Sequence, residues 1–234
     1  MKRTDPKTGA TEHHLRVQRT ARYWTLGTPE SAEEVWLVLH GYKQLARRFI
    51  RRFKPIDNGH RMIVAPEALS RFYVSQEQER HSVASVVGAT WMTREDRLNE
   101  IRDYVEYLDQ LVGRIEGEIG KVPLTVVGFS QGVATAVRWA ISGSRAPSRL
   151  ILWGDFSPPD IDLKLARQRL ESVELIMVHG TEDRALSPPL KKEEEERLRE
   201  GGIDYRIISY SGGHDIDEQT LLRLATSGSS RIGD

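Results

Sequence analysis

Cysteine is absent from this chain of 234 residues. Its absence excludes disulfide bonds, thiolate metal sites and a cysteine nucleophile. An excess of charge of either sign is absent as well, because 34 lysines and arginines balance 34 aspartates and glutamates. Net charge therefore points neither to nucleic acid nor to an acidic membrane surface as a partner.

Long apolar runs are also missing. No stretch of the sequence approaches the roughly 20 apolar residues that a transmembrane helix needs, and residues 1–8 are polar and unlike a signal peptide. We therefore expect a cytoplasmic protein without a membrane span. A chain of this length can bury one sizeable core, so we expect a single domain over residues 1–234, with flexible ends at about 1–18 and 227–234.

Short apolar runs alternate with helical patterns along the chain. The runs that predict strands are residues 22–26, 34–39, 61–65, 124–127, 150–154, 173–180 and 205–210. Strands that alternate with helices form a mostly parallel sheet covered by helices on both faces. The sequence therefore predicts the α/β fold class.

Three helical patterns are clear. An apolar stripe from residue 98 to residue 115 predicts a long helix, which should begin at the capping-box-like Thr93-Arg94-Glu95-Asp96. Residues 133–141 predict a second helix. Residues 191–200 predict an exposed helix, held partly by the pairs Glu193–Arg197 and Glu195–Arg199.

The motif Gly128-Phe129-Ser130-Gln131-Gly132 lies between a predicted strand and a predicted helix. In a Gly-x-Ser-x-Gly elbow the glycines remove Cβ atoms where the turn would crowd its neighbours. The serine then takes a strained backbone and exposes its hydroxyl. The pattern by itself also occurs in ordinary glycine-rich turns. Its position makes Ser130 the candidate nucleophile.

A serine nucleophile needs a base, and the base needs an acid that fixes its tautomer. In chain order the acid follows the elbow and the histidine follows the acid. Asp183 lies in the loop after the strand at 173–180 and is the predicted acid. His214 follows a glycine-rich turn after the strand at 205–210 and is the predicted base.

Other residues compete for these roles. Glu182 adjoins the predicted acid, and Asp155 follows the strand at 150–154. His179 is the other histidine beyond Ser130, but it ends an apolar strand, where a buried neutral imidazole is expected.

An acyl-transfer site also needs two N–H donors for the oxyanion. Gln131 follows the nucleophile and opens a helix, so its backbone N–H is one predicted donor. A strand-like run ends in His40-Gly41-Tyr42, which predicts the Tyr42 N–H as the second donor. In the alternative interpretation, His40-Gly41 is an ordinary turn that ends a strand.

These motifs together resemble the α/β-hydrolase superfamily, and within it the phospholipase/carboxylesterase group of small, acyl-protein-thioesterase-like serine esterases. The motifs that carry the resemblance are Leu39-His40-Gly41, Gly128-Phe129-Ser130-Gln131-Gly132, His179-Gly180-Thr181-Glu182-Asp183 and Gly212-Gly213-His214. Where many relatives continue the early motif with Gly and Asp, this chain has Gly41-Tyr42-Lys43-Gln44-Leu45, and Arg184 follows Asp183 where Pro is common. The resemblance implies an ester or thioester hydrolase, but these departures leave its substrate open.

A long segment before the first predicted long helix carries Phe72, Tyr73, Trp91 and Met92. Loops of this length are usually functional or disordered. By resemblance this segment lines the acyl pocket, while packing as a satellite core is the alternative. Phe156, in a proline-rich loop, borders the same pocket. No insertion is long enough for a large lid domain, so we expect access for short or medium acyl chains.

Two clusters receive no functional role. A row of cations alternates with apolar residues and predicts a solvated helix face; it consists of Arg47, Arg48, Arg51, Arg52 and Lys54. His13-His14 has no further ligand at a suitable spacing, so we expect no metal.

The sequence thus predicts a serine carboxylesterase or thioesterase that forms an acyl-enzyme on Ser130 and needs no cofactor. An amidase or peptidase with the same triad, and a non-catalytic ligand-binding protein of the same fold, remain alternatives. The expected partner is a small-molecule ester or thioester and not nucleic acid, and a homodimer is compatible with the sequence.

Overall fold

The computed structural model describes residues 4–74 and 82–227. Its strands are β1 (Tyr23–Leu26), β2 (Glu34–Leu39), β3 (Arg61–Pro66), β4 (Ser70–Tyr73), β5 (Val87–Thr90), β6 (Leu124–Phe129), β7 (Arg149–Trp153), β8 (Glu174–Gly180) and β9 (Arg206–Tyr210). Its α-helices are α1 (Ala46–Phe49), α2 (Arg97–Ile119), α3 (Gln131–Ser142), α4 (Leu163–Leu170), α5 (Pro188–Glu200) and α6 (Glu218–Ser227). Two 3-10 helices span Pro29–Ser31 and Ile50–Ile56.

Seven strands form one large sheet in the order β1-β3-β2-β6-β7-β8-β9. β1 pairs antiparallel with β3, and all other neighbours in this sheet are parallel. Every residue of β3, β6 and β7 is buried, as expected for parallel strands that are covered on both faces. The predicted fold class, a mostly parallel sheet between helices, is confirmed.

Helices cover both faces of the large sheet. Leu37 of β2 faces the layer formed by α2, α3, α4 and α5. Its neighbours Trp36 and Val38 face α1, the 3-10 helix Ile50–Ile56 and α6 on the other side. Successive side chains of a strand point to opposite faces, so each central strand contributes to both cores.

The parallel strands bring their carboxyl ends to one edge. The register places these ends side by side, with Leu39 opposite Gly128, Phe129 opposite Trp153, and Gly180 opposite Tyr210. Residues that follow β2, β6, β7, β8 and β9 therefore meet at this edge, where open α/β sheets bind their ligands.

The long helix α2 begins at Arg97 and not near Thr93, so the predicted capping box is wrong. Asp96 precedes the helix with φ 47°, a left-handed conformation, and no side chain caps the helix. The N–H and the hydroxyl of Thr93 donate instead to the Glu100 carboxylate, at 2.6 and 3.3 Å. The acidic partner of Thr93 is seven residues away, whereas a capping box needs it after three.

The row of cations lies on two short helices and not on one. Ile50, Phe53 and Ile56 are buried, and this spacing of three is the repeat of a 3-10 helix. Pro55 lacks the N–H that would continue an α-helix. Arg47 and the other cations of the row are exposed, as predicted.

The chain ends differ in part from the prediction. Ser227 belongs to α6, so the flexible end predicted from residue 227 includes a helical residue. The rest of that end, 228–234, and residues 1–3 at the start lie outside the described residues. Arg16 pairs with Glu106 of α2, and the flexibility of residues 4–18 stays a prediction.

None of the helices in the described part of the chain is both long and apolar enough to cross a membrane.

Candidate active site

Ser130 lies in a sharp turn between β6 and α3. Its backbone has φ 52° and ψ −124°, and such strained conformations cost about 1–3 kcal/mol. A Cβ on Gly128 would lie 2.5 Å from the carbonyl oxygen of Gly132. A Cβ on Gly132 would overlap the carbonyl oxygen of Leu39. Both glycines therefore permit the tight turn that an elbow requires.

His214 and Asp183 form a hydrogen-bonded pair at the same edge of the sheet. The Nδ1–H of His214 donates to Oδ2 of Asp183 at 2.7 Å, and the other oxygen of Asp183 accepts the N–H of Ala185 at 2.9 Å. The Asp183 side chain is 1% exposed, whereas that of His214 is 36% exposed. Because an ionised carboxylate only accepts, it fixes the proton on Nδ1 and leaves Nε2 free to take another.

The loops that carry this pair are tied together by backbone contacts. The N–H of Glu182 donates to the carbonyl of Gly212, and the N–H of Thr181 donates to that of Tyr210, both at 2.9 Å. A Cβ on Gly180 would overlap the Gly212 carbonyl oxygen. The loop after β8 and the loop after β9 are therefore packed backbone against backbone.

The His214 ring also packs against the elbow. Its centroid lies 5.0 Å from that of Phe129, the residue before Ser130. Gly154 follows β7 with φ 74°, and a Cβ there would lie 3.2 Å from Cε1 of His214. Within residues 4–74 and 82–227 the Ser130 hydroxyl has no hydrogen bond. Bonds between nucleophile and base are often loose in ligand-free enzymes and tighten when substrate binds.

Asp155 and His179, the rivals for the acid and base roles, have other surroundings. Oδ1 of Asp155 accepts the N–H of Phe156 at 2.8 Å, and burial raises the pKa of this carboxyl. Both ring nitrogens of His179 are buried and make no hydrogen bond of normal geometry among the described residues, and the backbone of Asp155 interacts with the ring only weakly. Burial, followed by the charge of Lys191, lowers the pKa of His179 to about 4. Neither residue contributes to the hydrogen bond between the predicted acid and the predicted base.

Two backbone N–H groups beside Ser130 are unpaired. Those of Tyr42 and Gln131 donate to no atom in the described ranges. Gln131 is the first residue of α3, so its N–H lies at the positive end of the helix dipole. A Cβ on Gly41, the residue before Tyr42, would lie 3.1 Å from the Ser130 Cβ. Neither N–H is committed to another acceptor within the described residues, so this pair is suited to hold an oxyanion.

The sequence profile of the Phospholipase/Carboxylesterase family matches residues 27–229, a range that contains the elbow, the acid and the histidine. The chain belongs to the phospholipase/carboxylesterase family. The resemblance inferred from the four motifs is thereby confirmed, and this family member is an α/β hydrolase. No curated protein sequence shows significant similarity to it.

Solved structures share the fold of this phospholipase/carboxylesterase family member. Acyl-protein thioesterase 2 from Zea mays has a TM-score of 0.69 at 17% identity, over 92% of this chain and 100% of its own. Esterase PE8 has a TM-score of 0.61 at 21% identity, over 89% and 98%. The Bacillus cereus carboxylesterase has a TM-score of 0.61 at 12% identity, over 88% and 92%. At these identities the likeness establishes the α/β-hydrolase fold.

The predicted aromatic loop contains a hairpin, because β4 and β5 pair antiparallel within it. Phe72 on β4 stacks on Tyr42, with ring centroids 5.4 Å apart. Tyr42 is 50% exposed and Tyr73 is 45% exposed. Tyr42 and Phe72 therefore form a stacked pair next to the Tyr42 N–H, whereas Tyr73, the next residue of β4, points to the other face of the hairpin.

The other predicted pocket residues are more enclosed. Trp91 is buried, and its ring lies 5.1 Å from that of His40. Met92 is half-buried, with its sulfur 3.3 Å from a guanidinium nitrogen of Arg138. Phe156 is half-buried and meets the ring of His179 edge-on at 5.1 Å. Trp91 thus packs neither in a pocket nor in a satellite core but in the main core beneath α2 and α3, behind the predicted oxyanion loop.

Several residues that hold this site were not identified from the sequence. The side-chain carbonyl of Gln44 accepts the Gly41 N–H at 2.8 Å. The side-chain carbonyl of Gln131 accepts the Trp91 N–H at 3.1 Å, and its amide donates to the Met92 carbonyl at 2.9 Å. The available signal for these contacts was the presence of polar side chains next to the predicted oxyanion residues. The partners of Gln131 lie about 40 residues away, so the sequence did not indicate them.

The helix α5 is paired differently from the prediction. Arg197 pairs with Glu194 at 2.7 Å, and not with Glu193. Glu194 is buried, and it also accepts the N–H of Ser157 at 3.1 Å. This contact links α5 to the loop that carries Phe156. The helix is therefore not exposed on all sides, because one of its four consecutive glutamates faces inward.

His14 lies close to two carboxylates. Its Nε2 is 3.4 Å from Glu12 and 3.3 Å from Asp96, and all three residues are exposed. Surface groups of this kind commonly form weak ion pairs, and this group takes no part in the arrangement around Ser130.

Proposed function

We propose that this protein is a serine hydrolase that cleaves carboxylic esters or thioesters through an acyl-enzyme on Ser130. The observation that carries the proposal is the 2.7 Å hydrogen bond from His214 to a buried Asp183, at the sheet edge where Ser130 occupies its strained turn. This edge brings together, from three separate loops, the residue types that acyl transfer needs.

Each member of the triad has one role in the proposed mechanism. His214 Nε2 takes the proton of the Ser130 hydroxyl while Oγ attacks the substrate carbonyl. Asp183 stabilises the imidazolium that forms and keeps the second proton on Nδ1. The imidazolium then protonates the leaving alcohol or thiol, and the acyl group stays on Ser130. Water, deprotonated by the same imidazole, releases the acid and restores the serine.

The negative charge that develops on the carbonyl oxygen is held by the unpaired N–H groups of Tyr42 and Gln131. Neither donor has to break a hydrogen bond within the described structure before it binds the oxyanion. Donors that are already oriented in this way stabilise the transition state without a reorganisation cost.

The acyl group is proposed to lie along the hairpin. Tyr42 and Phe72 offer a stacked aromatic pair beside one proposed oxyanion donor, and Tyr73, Met92 and Phe156 complete the predicted lining. The similarity in fold to an acyl-protein thioesterase and to esterases supports both bond types. A site of this form suits short or medium acyl chains, as expected from the lack of a long insertion.

The test uses Ser130→Ala, which removes only the hydroxyl. We expect the variant to fold, to lose hydrolysis of a short-chain p-nitrophenyl ester, and to lose covalent labelling by a fluorophosphonate probe. Unchanged turnover in this variant would exclude the proposed nucleophile.

A substrate series then separates the alternatives. The series consists of esters, thioesters and amides with the same acyl chains. An esterase should hydrolyse the esters best, the thioesters next and the amides least. Preferred cleavage of amides would indicate a peptidase or amidase. Absence of both turnover and labelling in the unmodified protein would indicate a non-catalytic ligand-binding protein.

A further inference from the structure

We propose that His40 is a positioning residue, which orients the peptide between Gly41 and Tyr42 so that the Tyr42 N–H points at the oxyanion. This inference rests on the function proposed above. His40 does not touch the reacting atoms, and it acts through the backbone next to it.

The His40 ring has a defined partner at each nitrogen. Nδ1 lies 2.8 Å from the Gly41 carbonyl oxygen, and Nε2 lies 3.1 Å from the backbone nitrogen of Ala68. A carbonyl only accepts and a backbone N–H only donates, so the proton must be on Nδ1. The ring is fully buried, and this burial lowers its pKa to about 4. His40 is therefore a neutral donor to Gly41 at neutral pH.

Holding the Gly41 carbonyl also holds the Tyr42 N–H. The two groups belong to one planar peptide unit and point in opposite directions, because the described chain contains no cis peptide bond. Gln44 adds a second hydrogen bond to the Gly41 carbonyl at 3.2 Å. With its oxygen bonded by His40 and Gln44, this peptide cannot rotate without breaking both bonds. The Tyr42 N–H is left unpaired on the other side.

The hairpin fixes His40 from behind. The indole N–H of Trp91 donates to the His40 carbonyl at 2.8 Å, and the two rings pack at 5.1 Å. The backbone of Ala89 on β5 exchanges hydrogen bonds with Lys43 and Gln44, at 3.0 and 3.1 Å. The oxyanion loop is therefore attached to the hairpin through both backbone and side chains.

The same hairpin contacts the second donor residue. The Gln131 side chain accepts the Trp91 N–H at 3.1 Å and donates to the hydroxyl of Thr90 at 2.9 Å. The distance between the two N–H donors thus depends on the β4–β5 hairpin. His40 connects this hairpin to the Tyr42 donor through its contact with Trp91.

A comparison with His179 shows that the hydrogen-bond partners of the His40 ring do not follow from the local sequence. It also ends a strand, precedes a glycine and is buried, and its pKa is also lowered to about 4. Its two ring nitrogens make no hydrogen bond of normal geometry in the described structure, and the backbone of Asp155 offsets only part of the burial that lowers its pKa. His40 therefore differs from His179 in its partners and not in its burial.

Two substitutions separate positioning from packing. His40→Asn keeps an N–H donor near the place of Nδ1 and loses the acceptor for Ala68. His40→Gln keeps an acceptor near the place of Nε2 and loses the donor to Gly41. Both lose one hydrogen bond and the ring contact with Trp91, so we expect similar losses of melting temperature.

The kinetics of the two variants should differ. Loss of one oxyanion donor lowers kcat by about 10²–10³ in serine hydrolases. We therefore expect His40→Gln to lower kcat for p-nitrophenyl acetate about 10- to 100-fold with little change in KM. His40→Asn should retain most of kcat. The affinity for a trifluoromethyl ketone, which places an oxyanion in the same site, should fall in the Gln variant by the same factor as kcat/KM.

A second pair of variants covers the case in which the His40 variants do not fold. Trp91→Phe removes the indole donor to the His40 carbonyl. Trp139→Phe, the matched control, removes a buried indole bond to Asp109 on the α2 side of the molecule. We expect only Trp91→Phe to lower kcat.

The inference is overturned if His40→Gln and His40→Asn lose kcat equally, or if Trp91→Phe and Trp139→Phe have the same kcat. These outcomes leave the proposed function intact as long as Ser130→Ala is inactive. Failure of the proposed function would show instead in the unmodified protein, as a lack of turnover and of fluorophosphonate labelling.

Discussion

Two aspartates, Asp183 and Asp155, lie near His214 and differ in their hydrogen bonds. Asp183 is bonded to the His214 ring at 2.7 Å, whereas the bonded oxygen of Asp155 accepts the N–H of the next residue. Burial and the nearby Asp183 carboxylate both raise the pKa of Asp155. An acid that orients a histidine must be ionised and bonded to it, and Asp183 meets the second condition.

We predict that Asp183→Asn lowers kcat by about 10⁴-fold, because an amide no longer selects the tautomer with the proton on Nδ1. Asp155→Asn should have a much smaller effect. Steady-state kinetics of both variants on one activated ester provide the measurement, and the two changes are isosteric, so each controls for the other. A larger loss for Asp155→Asn would assign the acid role to Asp155.

The two buried histidines should make stability depend on pH. Burial lowers the pKa values of His40 and His179 from 6.5 to about 4. Between these values the unfolded chain binds protons that the folded chain does not, so stability is complete above about pH 6.5 and decreases as the pH falls. The loss should approach about 3 kcal/mol per histidine near pH 4. Asp155 opposes this trend, because its raised pKa favours proton binding in the folded state.

Urea unfolding between pH 7 and pH 4.5 tests this prediction. His179→Gln should reduce the slope of unfolding free energy against pH by about one proton, with no change in slope above pH 7. A free energy of unfolding that stays constant from pH 7 to pH 5 would show that the folded protein takes up protons as readily as the unfolded chain, and would contradict the lowered pKa values of the two histidines.

The residues of the proposed triad could be singled out in the sequence because they have local signals. Ser130 lies between two glycines that the tight turn requires, and His214 follows two more. The contacts of Gln131 and His40 could not be predicted, since their partners lie on a hairpin many residues away. Sequence patterns report local backbone needs, and side-chain contacts across elements depend on how the elements pack.

At the scale of elements, strands were predicted better than helix ends. All seven strands of the large sheet lie within a few residues of the predicted ranges, and the central, buried ones read as continuous apolar runs. The start of α2 was wrong because Thr93 bonds to Glu100, in the first turn of the helix, instead of capping it. The hairpin β4–β5 was missed because its first strand alternates half-buried and exposed residues and is only four residues long.

The contact between α5 and the Phe156 loop should be important for stability. Glu194 is buried and is bonded to Arg197 and Ser157. Glu194→Ala leaves the half-buried Arg197 guanidinium without its carboxylate and with Ser157 as its remaining partner, and breaking a buried ion pair typically costs about 3–5 kcal/mol. We predict a loss near the lower end of this range, measured as the free energy of unfolding in urea.

The same helix supplies the control. Glu196 pairs with Lys192 at 3.7 Å, and both side chains are at least half exposed. Exposed pairs contribute at most about 1 kcal/mol, so Glu196→Ala should leave stability almost unchanged. Equal losses in the two variants would mean that Glu194 acts only through helix propensity.

At the scale of the whole molecule, the observations that establish the family and the fold do not identify the substrate. The family profile spans residues 27–229, and the fold agrees with solved esterases and a thioesterase. The proposed acyl-pocket residues, such as Phe72 and Tyr73, lie outside the four motifs that carry the resemblance to the family, so the match to the family does not define the substrate. The cytoplasmic location, the single domain and the homodimer stay predictions.

The single domain can be tested through the shared strands. Trp36 belongs to the core under α6, and Trp139 belongs to the core under α2, but both cores are built on the same central strands. One core cannot unfold without exposing the strands of the other, so we predict a single cooperative transition in urea. In Trp36→Phe the tryptophan fluorescence comes mainly from the core under α2, and in Trp139→Phe mainly from the core under α6. In each variant the unfolding midpoint measured by fluorescence should coincide with the midpoint measured by far-ultraviolet circular dichroism. Separate fluorescence and dichroism midpoints in either variant would show that the two faces unfold independently, and would divide the chain into two units.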